Sequence, residues 1–225
     1  RFHKVDICGM QEVLGGQLES LKHFLPHMDV DAVGRDAGAG GERCPILYRR
    51  DRFKRLRGAT VWLSPTPEKP SRAWGASLRR ICTWAELEDK RTGVSFFVFN
   101  THFEHGQHGK RARLHSAALL VARIQEIAGA RPVLVLGDFN CTPDAPPYST
   151  LTTGSMSKKP APALALTDAL HASQNGHVGP LGTFSGFGGV AKTGWRIDYV
   201  FTKNRVRIRE HGVLSGGAHD GRTPS

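Results

Sequence analysis

Apolar residues fall along this chain in two rhythms, short unbroken runs and helical repeats. Residues 133–136, Val-Leu-Val-Leu, sit between Pro132 and Gly137. A run that short, bounded by Pro and Gly, predicts a strand covered on both faces. Residues 94–101 are nearly continuous in apolar side chains and 80–87 alternate in character, with a hairpin turn expected over 89–93. Further strands are expected over 5–13, 30–33, 45–48, 59–63, 197–201 and 206–208. Leu14, Leu18, Leu21 and Leu25 recur at helical spacing until Pro26 stops them. Leu114, Ala117, Ala118, Val121, Ile124 and Ala128 trace one face of a longer helix. Shorter helices are expected near 148–151 and over 164–172. Hairpins and helical crossovers mix, with no repeat and no linker, so one α/β layered domain over 1–225 is expected.

Composition narrows the class. No apolar run approaches the roughly 20 residues of a membrane span, so a soluble protein is expected, cytoplasmic or secreted after signal removal, and acting as a monomer. The chain opens on Arg1 with neither Met nor a signal-peptide pattern, which reads as processed or trimmed. Cys8, Cys44, Cys82 and Cys141 lack zinc-ligand spacing, and Cys8 and Cys82 lie in apolar runs as small hydrophobes. The formal charge of +11 suits a polyanionic partner, with nucleic acid first, although a general preference for Arg would give the same number.

Polar residues mark the strand ends. The 133–136 run leads into Gly137-Asp138-Phe139-Asn140, where Asp138 and Asn140 point one way and Phe139 returns to the core. In isolation a turn explains this tetrapeptide as well. A carboxylate and a carboxamide at the end of a buried strand are costly to desolvate unless something binds them. Gln11-Glu12, Asn100-Thr101-His102 and Trp195-Arg196-Ile197-Asp198-Tyr199 place comparable groups at three other strands. Arg35, in a Gly-rich loop, is either a bidentate phosphate clamp or an ordinary loop residue. Trp74, Phe187 and Trp195 line a cleft or belong to the core, and His219-Asp220 reads as a surface pair.

Taken in order, these segments resemble the endonuclease/exonuclease/phosphatase superfamily of the DNase I-like fold, in a bacterial metal-dependent hydrolase branch. The resemblance implies a four-layered α/β/β/α sandwich. It implies a phosphoesterase using Mg²⁺, or Mn²⁺, held by Glu12 and Asp138. It makes His102, Asp138, Asn140 and Asp198 catalytic; beside them Arg35, Asn100 and Trp195 are read as substrate-binding. His102 would donate to a non-bridging oxygen, and Asp198 would orient a second His. That His lies in a family segment beyond Ser225, and the family's first strand lies before Arg1, so a domain lacking its first and last strands is expected. Nucleic acid is the favoured substrate on charge. A phospholipid, sphingomyelin or phosphosugar is the alternative, as is a catalytically incomplete polyanion-binding homologue.

Overall fold

A computed structural model describes residues 5–37, 40–184, 186 and 194–214. In it the apolar runs become two face-to-face sheets. The smaller sheet has the order β1-β3-β2, from β1 (Ile7–Gly9), β2 (Met28–Asp31) and β3 (Ile46–Arg49). The larger has the order β4-β5-β6-β7-β10-β8. It comprises β4 (Phe53–Trp62), β5 (Ile81–Asp89), β6 (Ser95–His102), β7 (Val133–Asp138), β8 (Thr167–Asp168) and β10 (Asp198–Lys203). Two short strands, β9 (His177–Val178) and β11 (His211–Gly212), pair apart from both.

Alternation along the strands decides what each face meets. Val98, Leu134 and Leu136 turn toward Ile46, Tyr48 and Ile7 of the small sheet. Phe97, Phe99, Val133 and Val135 turn the other way, onto Ala117, Leu120, Val121 and Ile124 of helix α2 (Lys110–Ala128) and Leu151 of helix α3 (Pro146–Thr153). Both faces are covered, which is why these strands read as unbroken apolar runs. Helix α1 (Gly15–Phe24) sits against the small sheet through Leu18 and Leu21, beside Met28, Val30 and Leu47. The layers therefore run α/β/β/α, as the sequence resemblance implied. Among the described residues, no helix is long and apolar enough to cross a membrane.

Several expected boundaries moved. The 5–13 strand is limited to Ile7–Gly9, with Val13 making an isolated bridge to Arg43. The 30–33 strand starts earlier, because Met28 to Asp31 pair with Arg49 to Ile46. The strand expected over 59–63 begins at Phe53, where its arginines pair with carboxylates and so continue the ladder. Only the end of the 164–172 helix forms, as the one-turn α4 (Ala169–Ala172). Thr167 and Asp168 instead pair with Thr202 and Phe201. Residues 206–208 make no strand; the Ile208 carbonyl accepts from the Gln174 amide. Phe187 and His219-Asp220 lie outside the described residues.

Register gathers the polar strand ends on one side. β6 runs parallel to β7 with His102 beside Asp138, and β10 runs antiparallel to β7 with Asp198 opposite the same Asp138. The end of β4 and the start of β5, Trp62 and Ile81, lie on that side too. Gly137 permits this close packing: a Cβ there would run into the Thr101 carbonyl oxygen.

Candidate active site

Asp138 closes β7, and the chain then turns sharply. Asn140 takes the left-handed conformation (φ 48) and its backbone N–H donates to Asp138 Oδ1 at 2.7 Å. Asn140 Nδ2 donates to the Phe103 carbonyl at 3.0 Å, which ties this turn to the end of β6. Phe139, between them, is fully buried against Phe103 at a ring-centroid distance of 4.9 Å. Asp138 and Asn140 thus hold the polar end while Phe139 anchors the turn in the core.

Glu12 reaches the same place from β1. It too has positive φ (60), uncommon for a non-glycine residue. Strain of this kind costs about 1 to 3 kcal/mol and gathers at functional sites. Its side chain is 68% exposed, free to meet a ligand. His102 Nε2 stands between the two acids, 3.9 Å from Glu12 Oε1 and 3.6 Å from Asp138 Oδ2. Both distances exceed a direct hydrogen bond.

Burial sets the electrostatics. It lowers the His102 pKa, and the positive charges of Arg80 and Arg35 lower it further, to about 3, so the imidazole is neutral at ordinary pH. Burial raises Asp138, and the facing Asp198 carboxyl adds to it, bringing Asp138 to about 7 against the pull of the Asn140 amide. Asp198 is itself raised by burial, with a hydrogen bond from Thr183 acting the other way. Two acids held this way have excess negative charge when both ionise, an arrangement that a cation would relieve.

The other expected residues are placed differently. Asn100 is fully buried between the sheets, donating to the Met10 and Pro45 carbonyls at 2.7 and 2.8 Å and accepting from Gln11 Nε2 at 2.7 Å. Its amide joins the sheets, in place of the substrate contact expected of it. Gly9 leaves room for that amide, since a Cβ there would lie 2.8 Å from Asn100 Oδ1. Arg35 lines a cleft beside Glu12 and His102, bonded to Glu42 at 2.6 Å. Trp195 is 56% exposed and stacks on Phe184. Trp74 stacks on His115 at 5.1 Å.

The cleft is also lined by Glu42, Arg43, Cys44, Arg79, Arg80 and Ile81. Neither Arg79 nor Arg80 is among the site residues expected from the sequence, although Arg80 opens the strand expected over 80–87. The available signal was two consecutive arginines opening a strand, one of which must turn inward. The larger basic crowd lies elsewhere. Arg49, Arg52, Arg55 and Arg57 stand toward the opposite end of the sheets, paired with Asp6, Asp51, Asp89, Asp31 and Glu86. Positive charge is therefore divided between the cleft, where Arg35, Arg43, Arg79 and Arg80 face Glu12 and Glu42, and this second group away from it.

Among those residues, no three His, Cys, Asp or Glu side chains converge as a closed metal cage. Glu12 and Asp138 are hard oxygen donors and only two, which fits a cation such as Mg²⁺ that binds through one or two carboxylates and keeps several waters.

Comparison with known proteins identifies the family. The family model described as "Endonuclease/Exonuclease/phosphatase family" matches residues 1–225. An endonuclease/exonuclease/phosphatase from Bacteroides vulgatus superposes with a TM-score of 0.87 at 36% identity, covering 98% of this chain and 81% of its own. A mannosyl-6-phosphatase from Bacteroides thetaiotaomicron superposes at 0.85 with 33% identity, covering 100% of this chain and 83% of its own. Nocturnin of Drosophila melanogaster is 28% identical over 144 residues, 63% of this chain but 21% of that protein.

Proposed function

This chain belongs to the endonuclease/exonuclease/phosphatase family, and from that premise we propose that it hydrolyses phosphate esters with a divalent cation, on a compact phosphorylated substrate such as a sugar phosphate. The observation that carries the reaction class is the meeting of Glu12, His102 and Asp138 around His102 Nε2. Glu12 and Asp138 would hold Mg²⁺, or Mn²⁺ in its place. Such a cation neutralises charge on phosphoryl oxygens and makes bound water more acidic.

The chain's own groups divide the remaining work. Neutral His102 donates one N–H to a non-bridging oxygen without adding a formal charge. Asp138, ionised once a cation is bound, would orient the attacking water and accept its proton. Asn140 keeps that carboxyl fixed through its backbone amide. Arg80 and Arg35 add positive charge on the cleft side.

Two observations favour a compact ester over a long polyanion. The arginines of 49–57 are spent on ion pairs remote from the cleft. The likeness to a mannosyl-6-phosphatase covers the whole chain. The test is inorganic phosphate or nucleotide release by the full-length protein with Mg²⁺, across hexose 6-phosphates, a phosphodiester lipid headgroup and single-stranded oligonucleotides. Turnover of a sugar phosphate above the others is expected. Preference for the oligonucleotide, with affinity falling linearly on a log-log salt plot, would overturn the substrate reading. No turnover of any ester would overturn the reaction class.

A further inference from the structure

Arg80 is buried, with 5% of its side chain exposed, yet it is held at one point. Its Nη2 donates to His105 Nδ1 at 2.8 Å and lies 3.4 Å from Glu104 Oε1. The Glu104 carboxylate is already occupied by shorter bonds. It accepts from Ser77 Oγ at 2.8 Å, the Leu78 amide at 3.1 Å and the His105 amide at 3.1 Å. Within the described residues no bond uses Arg80 Nη1, and Arg80 Nε is buried without any partner. A buried donor left unpaired costs about 1 to 3 kcal/mol, so native proteins rarely keep one without a use.

His105 completes this arrangement. Its Nδ1 lies 2.8 Å from Arg80 Nη2 and 3.0 Å from Glu104 Oε1, so ring, guanidinium and carboxylate meet at one point. His105 and Glu104 therefore hold Arg80 by one corner. Arg80 lines the cleft with Arg35, Arg79 and Glu12. The neighbouring arginines have carboxylate partners at their tips: Arg35 has Glu42 at 2.6 Å, and Arg79, whose Nε is also buried without a partner, has Asp36 at 2.9 Å.

We propose that Arg80 is the anion-binding residue of this cleft, anchored through Nη2 by His105 and Glu104 and taking an oxygen of the substrate's phosphoryl group with its uncommitted N–H donors. Planar guanidinium donors match phosphate oxygens better than a lysine ammonium does. The assignment rests on the cleft being the substrate site proposed above, and it moves the clamp expected at Arg35 to a residue 45 positions further along the chain.

The test is calorimetric binding of inorganic phosphate to the full-length protein stripped of metal with chelator, so that no turnover is needed. Arg80→Lys keeps net charge and a cation for Glu104, which protects folding. The double variant Arg80→Gln with Glu104→Gln removes both buried charges together. Each is expected to bind phosphate about tenfold more weakly or worse, with Arg80→Lys melting near the wild-type temperature. In the ester assay Arg80→Lys should lower kcat/KM by a similar factor. Unchanged phosphate affinity in both variants, or no phosphate binding by the wild type, would overturn the proposal. Arg80-dependent phosphate binding in a protein that hydrolyses no ester would uphold Arg80 while removing the function proposed above.

Discussion

Asp198 stands directly opposite Asp138 where β10 pairs antiparallel with β7. Two carboxyls on neighbouring strands, both raised by burial, cannot ionise together without compensation. The rest of the site is read from that tension.

Cation binding should release protons. Asp138 sits at about 7 without a cation, and a bound cation favours its ionised form. Apparent Mg²⁺ affinity should thus rise as pH increases through about 7, and level off above it. Calorimetry in buffers of differing ionisation enthalpy measures the protons directly. Asp198→Asn removes the facing carboxyl, so the same rise should move to lower pH. Affinity that ignores pH between about 5 and 8 would contradict this.

Glu12→Gln should separate function from folding. The side chain is mostly exposed and, among the described residues, makes no close hydrogen bond, so the melting temperature should hold to within about 2 °C. Mg²⁺ affinity and turnover should fall together, by about 100-fold or more. Loss of turnover with intact cation affinity would move the cation elsewhere.

Much of this was legible in the sequence, for stated reasons. Runs such as 133–136 read correctly because both faces of β7 are covered. Phe139 was legible as a core residue from two-residue alternation, and it is fully buried. The 164–172 helix misled because its apolar spacing hides Asp168, which must meet Arg196 across 28 residues. Arg80 was hidden in the same way: its partner Glu104 is 24 residues distant, and no local pattern joins them. Net charge was legible, but its placement was not, because ion pairing at the far end of β4 is a tertiary outcome.

The buried pair of Asp168 and Arg196 should carry much of the local stability. Arg196 Nη2 and Nη1 donate to the two Asp168 oxygens at 2.7 and 3.1 Å, and Tyr148 Oη donates at 2.8 Å. Asp168→Ala leaves a guanidinium uncompensated, a loss of about 3 to 5 kcal/mol. Thermal unfolding should show a drop of roughly 10 °C. A change under about 2 °C would mean that water replaces the pair without cost.

Acid should weaken the fold through Glu104. Burial alone would raise its carboxyl, but the Leu78 amide, the Ser77 hydroxyl and Arg80 outweigh burial and hold it at about 2, below its ordinary 4.5. A depressed acid contributes stability that is whole above the unfolded value and is lost as pH falls through the folded one. Melting temperature should therefore decline as pH drops from about 4.5 toward 2. In Glu104→Gln that part of the decline should disappear, from a lower starting stability. The same acid slope in both proteins would contradict the assignment.

The central claim is that Asp138, with Glu12, forms a cation-dependent centre for phosphate ester hydrolysis. Its most direct measurement is steady-state ester turnover by the full-length protein in Mg²⁺, in chelator, and in Asp138→Asn with Mg²⁺ restored. Chelator should abolish turnover and Mg²⁺ should restore it. Asp138→Asn, folded and of wild-type melting temperature or higher, should lose about 10²- to 10⁴-fold in kcat. Turnover that survives chelator, or that survives Asp138→Asn within about threefold, would contradict it.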